Sequence, residues 1–181
     1  MPIANGPATC VRAFPTAPED GDVLPATTPA ASALGFLTIV QEQNGYLGGY
    51  LVTNLWGRPL EFRLSTAVQP NRVQQILYGP ALQPYLCADL IGKTLVEKTA
   101  TAAQCVFTDC EPVLDLRLHL DVPVACTVPG AVRCHPRFPA DEAAVQALLE
   151  RVEGSLDLAE PFVRIREAMS EARKLGALNR N

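Results

Sequence analysis

Leu37-Thr-Ile-Val-Gln-Glu-Gln-Asn-Gly-Tyr-Leu-Gly-Gly-Tyr-Leu-Val-Thr-Asn-Leu-Trp-Gly-Arg-Pro-Leu-Glu-Phe-Arg-Leu64 reads as three consecutive strands joined by two tight turns. Asn44-Gly45 is a short hairpin signal, because such a turn needs positive φ and these two residues adopt it at least cost. The second turn is Asn54-Leu-Trp-Gly57, with Pro59 just beyond it. The spacing predicts strands over residues 35–43, 46–53 and 59–65. In the third, Leu60, Phe62 and Leu64 alternate with Glu61, Arg63 and Ser65, the pattern of a half-exposed edge strand. Gly45-Tyr-Leu-Gly-Gly49 is no phosphate loop: no Lys-Ser or Lys-Thr follows, and it lies between strands instead of opening a helix. Its glycines read as hairpin and bulge devices.

Past residue 65 the period changes. Val73, Ile76 and Leu77, with Pro70 at a first helical position and Gly79-Pro80 as a stop, predict a short helix. Leu86, Leu90, Ile91 and Leu95 predict a second, over 84–99, with Gly92 permitting close approach to a neighbour. Residues 104–108 read as a buried strand ending at Asp109, followed by a short helical segment over 112–120. Residues 122–128 form another buried strand, with Pro123 at its start, where a missing amide costs least. A polar loop through Cys134, His135 and Pro136 leads to an amphipathic helix over 141–152, with Val145, Leu148, Leu149 and Val152 on one face. Asp157 or Glu160 opens the last helix, with Phe162, Ile165 and Met169 inward and Gly176 ending it.

A chain of 181 residues with 48% apolar content suits one domain with tails. Residues 1–32 carry Pro2, Pro7, Pro15, Pro18, Pro25 and Pro29 with little apolar periodicity and read as a flexible Pro/Ala-rich tail. The α/β domain is expected over 33–155, and 156–181 as a C-terminal amphipathic helix packed on it or extending from it. Apolar runs break before the about 18 residues that a membrane span needs, and the N-terminus lacks a basic segment followed by an apolar one. The expectation is a bacterial-type cytoplasmic protein with no membrane partner. Cys10, Cys87, Cys105, Cys110, Cys126 and Cys134 would then be thiols, most of them small hydrophobes. The formal charge of -4 argues against general nucleic-acid binding without excluding a basic face. Arg164, Arg166, Arg173, Lys174 and Arg180 crowd the end of the chain, as a solvated helix face with cations toward the C-terminal dipole.

Three strands in hairpins followed by helix, strand, helix, strand, helix place the first, fourth and fifth strands parallel, with right-handed crossovers. The expected fold class is α/β, a five-stranded mixed sheet with helices on both faces. With Asn71-Arg72-Val73-Gln74 at the first helix and Phe107-Thr108-Asp109 ending the fourth strand, this order resembles the ribonuclease H-like superfamily over residues 37–152. The resemblance implies two divalent ions held by carboxylates from the first strand, the first helix and the end of the fourth strand, since paired Mg²⁺ needs hard oxygen ligands. The corresponding positions read Gln41 or Glu42, Gln74, and Asp109. A neutral amide at Gln74 leaves such a site under-charged, so the resemblance implies an inactive relative.

Asp109 and Cys110 stand at the carboxyl end of a central strand, the usual place for ligands in open α/β sheets; the alternative is a helix-capping Asp beside an ordinary Cys. Cys134 and His135 could join them in a zinc-like cluster, although no paired Cys-x-x-Cys is present. His119 and His135 are the only histidines to serve as base for a nucleophilic Cys, and His119 reads as structural. Tyr46, Tyr50, Trp56 and Phe62 do not sustain a base-stacking platform, but Tyr46, Trp56 and Arg58 at a hairpin tip form an interaction spot. The expectation is a non-catalytic protein without cofactor, acting through a protein partner or self-association, possible dimer included. The alternatives are a metal-dependent nuclease or hydrolase using Glu42, Asp109 and Asp89 or Asp115, and a small-ligand sensor with its site at the C-terminal edge of the sheet.

Overall fold

The computed structural model describes residues 11–12, 33–43 and 45–178. The flexible tail expected over 1–32 lies outside the described residues except for Val11–Arg12, as do Asn44 and Arg180. The fold is α/β, with one mixed sheet in the order β1-β4-β3-β2-β5-β6-β7. Its strands are β1 (Val11–Arg12), β2 (Ala33–Glu42), β3 (Gly45–Asn54), β4 (Pro59–Leu64), β5 (Cys105–Thr108), β6 (Val124–Val128) and β7 (Ala131–Cys134). β2, β3 and β4 form the antiparallel meander that the opening stretch predicts. β5 then pairs parallel to β2, and β6 parallel to β5.

The expected five strands are too few. The stretch read as a polar loop through Cys134 is β7, antiparallel to β6. Its turn is Pro129-Gly130, with Gly130 at φ +78, a conformation glycine takes without steric cost. At the other edge Val11–Arg12 pairs with Leu64 and Arg63, so β4 is no edge strand. Nor are its alternate residues solvated: Glu61 is 6% exposed and Ser65 7%.

Helices cover both faces. α1 (Arg72–Tyr78) leads through a 3-10 turn into a continuous helical run made of α2 (Leu82–Pro84), a π-helical section (Tyr85–Gly92) and α3 (Lys93–Glu97). A 3-10 helix (Glu111–Leu118) follows β5; α4 (Ala140–Val152) and α5 (Glu160–Leu178) close the chain order. α5 continues past Gly176, which therefore does not end it.

The period-2 alternation of the strands divides the core into two layers. Leu37, Tyr50, Val52, Val106, Val124 and Cys126 point to one face, against Ile91, Leu95, Val113 and Leu116. Leu34, Phe36, Leu51, Phe107 and Ala125 point to the other, against Val145, Leu148, Phe162, Ile165 and Met169. There Phe36 stacks on Phe107 and meets Phe162 edge-on, each at 5.6 Å between ring centroids. Two adjacent glycines of β3 set both layer spacings. A Cβ on Gly48 would lie 2.3 Å from Ile91 Cγ2, and one on Gly49 would lie 2.5 Å from Ile165 Cγ2. Their role is close approach in mid-strand, instead of the hairpin and bulge devices expected.

α1 is the short helix that the sequence predicts. Asn71 caps it, accepting from the Gln74 amide at 2.8 Å while the Gln74 side chain accepts from the Asn71 amide at 3.0 Å. Yet the helix buries no residue. Val73, Ile76 and Leu77, whose spacing predicts the helix, are 58%, 66% and 76% exposed.

Candidate functional site

The parallel register of β5 on β2 pairs Thr108 with Leu37, which sets Asp109 beside Thr38. The buried Thr38 hydroxyl donates to Asp109 Oδ1 at 2.7 Å. α5 crosses this end of the sheet, and Arg166 donates to the other carboxylate oxygen. Two turns later on the same helix face, Arg173 donates to both oxygens of Glu42. Arg166 and Arg173, expected on a solvated, dipole-compensating face, thus reach back to acids at the sheet. Arg164 instead bonds Glu160 of its own helix at 2.7 Å and the Gly57 carbonyl at 3.0 Å.

Glu42 and Asp109 are not brought together. β5 reaches only to Leu37 of β2, and Glu42 lies four residues beyond Thr38, about 13 Å along the strand at ~3.3 Å per residue. The side chain that stands at the expected strand-one position beside Asp109 is Thr38. Gln41 is exposed, and Gln74 is spent in the α1 cap. A clamp on two metal ions holds them about 4 Å apart between shared carboxylates, an arrangement that these positions do not supply. Among the described residues no three His, Cys, Asp or Glu side chains gather to hold a metal.

The other candidates also disperse. Asp89 pairs with His119 at 2.7 Å, and Asp115 with His135 Nε2 at 3.3 Å. His135 Nδ1 accepts from the Arg137 amide at 3.2 Å, which assigns the neutral ring's proton to Nε2, facing Asp115. His135 is buried, held edge-on to Phe138. The zinc-like cluster fails because alternation sends its two thiols to opposite layers: Cys110 packs with the first, Cys134 with the second. Cys110 instead packs in the first layer with Cys87. The neighbouring Cys87 thiol holds the Cys110 thiol below its ordinary range, against burial and the Asp109 charge. Interaction with Cys110 and burial push the Cys87 thiol up. Burial pushes the Cys126 thiol up to about 11.

Tyr46 and Trp56 lie at opposite ends of β3, so they share no hairpin tip. Tyr46 bridges to Val68 and packs against the first layer. Trp56, 73% exposed, and Arg58 stay together in the second turn, their amides both held by the Asn54 side chain at 3.0 Å. The broadest apolar exposure is on α1. From Thr66 to Ala88 the sequence carries one charged residue, Arg72.

A cleft of about 750 Å³ opens at the C-terminal edge of the sheet, between the β6–β7 turn, α4 and the start of α5. Asp109 and Arg166 stand in its wall with Leu149, Phe162 and Val163. Thr38, Arg166 and Arg173 were not legible as site residues, although a pair of arginines seven apart on one helix face was there to be read. No described helix is long and apolar enough to cross a membrane. No protein-family model matches this chain, and no curated protein is similar to it in sequence.

Proposed function

We propose that this chain is a non-catalytic scaffold of the ribonuclease H-like type that works through protein contacts, with α1 as the contact element. The observation that carries the reading is α1: a helix with a full capping box whose Val73, Ile76 and Leu77 all face solvent. Exposed apolar groups gathered on one ordered, almost uncharged element mark an interaction surface. The strand succession β4-β3-β2-β5-β6, with the meander antiparallel and the last two parallel to β2, supports the scaffold type. The absence of catalysis is supported by Asp109, whose oxygens are taken by Thr38 and Arg166, so that a side-chain cation stands where a divalent ion would bind.

The test is Ile76→Glu combined with Leu77→Glu. Both positions are exposed, so stability should stay within about 0.5 kcal/mol of the parent. A photo-cross-linker placed at Val73 should capture protein, either a second copy or another chain, and the double variant should lose that adduct. An uncaptured cross-linker at all concentrations would refute the contact role. Cleavage of nucleic acid with Mg²⁺ or Mn²⁺, abolished by Asp109→Asn, would refute the absence of catalysis.

A second reading is favoured by the cleft beside Asp109 and Arg166: a small-ligand sensor at the edge of the sheet. Its volume lies in the range of sites for small molecules. A ligand found there by thermal-shift screening would raise the melting temperature, and Arg166→Met would remove that shift.

A further inference from the structure

We infer that α1 pairs with α1 of a second copy of this chain, antiparallel across a two-fold axis. The inference rests on the reading of α1 as the contact element and names its partner. Val73, Ile76 and Leu77 stand three and four residues apart and so share one stripe of the helix surface. With Tyr78 beside them they place four exposed large apolar side chains on seven residues. Side chains of this size offer on the order of 100 Å² each. Four from each copy bury about 800 Å², and Pro80 and Ala81, exposed next to them, bring the total toward the about 1,000 Å² of a weak specific interface.

Charge favours a second copy and sets its direction. The chain carries -4 overall; residues 66–88 contribute +1 through Arg72 alone, which leaves -5 elsewhere. Two copies of like net charge repel, and they approach at least cost through a face that holds none of the acids. In a two-fold contact the same patch meets itself. A parallel pair would set the two Arg72 side chains together. An antiparallel pair sets each of them at the carbonyl end of the other α1. That end has no basic residue in its own last turn, and carbonyl ends of helices favour cations. The same arrangement lays Leu77 of one copy over Val73 of the other, with Ile76 near the axis.

The experiment is sedimentation equilibrium of the full chain, which should pass from monomer to dimer between about 1 μM and 1 mM. Ile76→Glu with Leu77→Glu should weaken the dimer at least about tenfold. Arg72→Glu is the sharper variant. It gives α1 an acid in its own first turn, which favours the helix, but sets that acid at the other copy's carbonyl end. The dimer should weaken at least about threefold at low salt. In a mixture of unlabelled and isotope-labelled chains, a photo-cross-linker at Val73 should give mixed-label adducts on the peptide that holds Leu77. A monomer at every concentration, with the cross-linker capturing a different protein, overturns the second copy and leaves the contact role of α1 standing. A monomer with no adduct removes both. A dimer that keeps its strength in the double variant, or tightens with Arg72→Glu, also overturns the inference. These substitutions fall on exposed residues of a helix that buries none, and the parent readouts need no variant.

Discussion

Replacing Glu61 should cost more stability than its place in an alternating strand suggests. Its carboxylate is 6% exposed and accepts from the amides of Ala100 at 3.0 Å and Thr101 at 2.9 Å, and from Arg63 Nε at 2.9 Å. It ties β4 to the turn that follows α3. Glu61→Ala strands two backbone donors, each worth about 1–3 kcal/mol when left unpaired, so the expected loss is about 3 kcal/mol. With a urea slope of about 2 kcal/mol per molar, the unfolding midpoint should fall by ~1.5 M. Glu61→Gln keeps an acceptor for the amides but turns its NH₂ toward Arg63, and should lose about 1–2 kcal/mol. The pH dependence checks the cause. Burial alone would raise the Glu61 pKa, but the Thr101 and Ala100 amides and Arg63 outweigh it and hold it below the ordinary range. The folded chain therefore binds fewer protons than the unfolded one in that window, and stability rises with pH across it. Urea curves of parent and Glu61→Gln should converge as pH falls from about 4.3 through the depressed value. An alanine variant within about 0.5 kcal/mol of the parent, the scatter of neutral surface changes, or a parent–Gln gap that persists in acid, would refute the reasoning.

Gly48→Ala and Gly49→Ala should each cost about 1–3 kcal/mol by overpacking, the first against Ile91 and the second against Ile165; thermal unfolding of both single variants checks this. The Arg117 guanidinium bonds Asp141 at 2.6 Å and the Leu120 carbonyl at 2.5 Å, and lies 4.0 Å over the Phe138 ring. Arg117→Met leaves the Asp141 carboxylate without its cation at 7% exposure, and should destabilise by about 3–5 kcal/mol. Removing both charges with Asp141→Asn should recover part of that loss in the same denaturation assay.

The meander was legible because turn chemistry and period 2 act locally, within the few residues that Gly45 and Asn54 span. The parallel pairing of β5 on β2 was legible from the order of elements, but its register was not. Register depends on which residues face each other across seventy positions, and it alone decides that Thr38 stands beside Asp109 and Glu42 does not. The apolar periodicity of α1 announced a helix but not its exposure, because helical spacing reports amphipathicity without saying what covers the apolar side. Glu61 was read as solvated for the parallel reason: strand alternation names two faces, and here both are buried. β7 was missed although Pro129-Gly130 marks its turn, because Arg133 and Cys134 make a four-residue strand look like loop.

A helix of seven residues lies far below the length of about 12–15 at which an isolated helix holds in water, and α1 draws nothing from the core. Its opening should be decoupled from global unfolding, so its amides should exchange with solvent by local melting while those of β2 and β5 wait for the whole sheet to open. A partner that grips Ile76 and Leu77 would then be measured twice: once as bound mass, and once as slowed hydrogen exchange confined to residues 72–78.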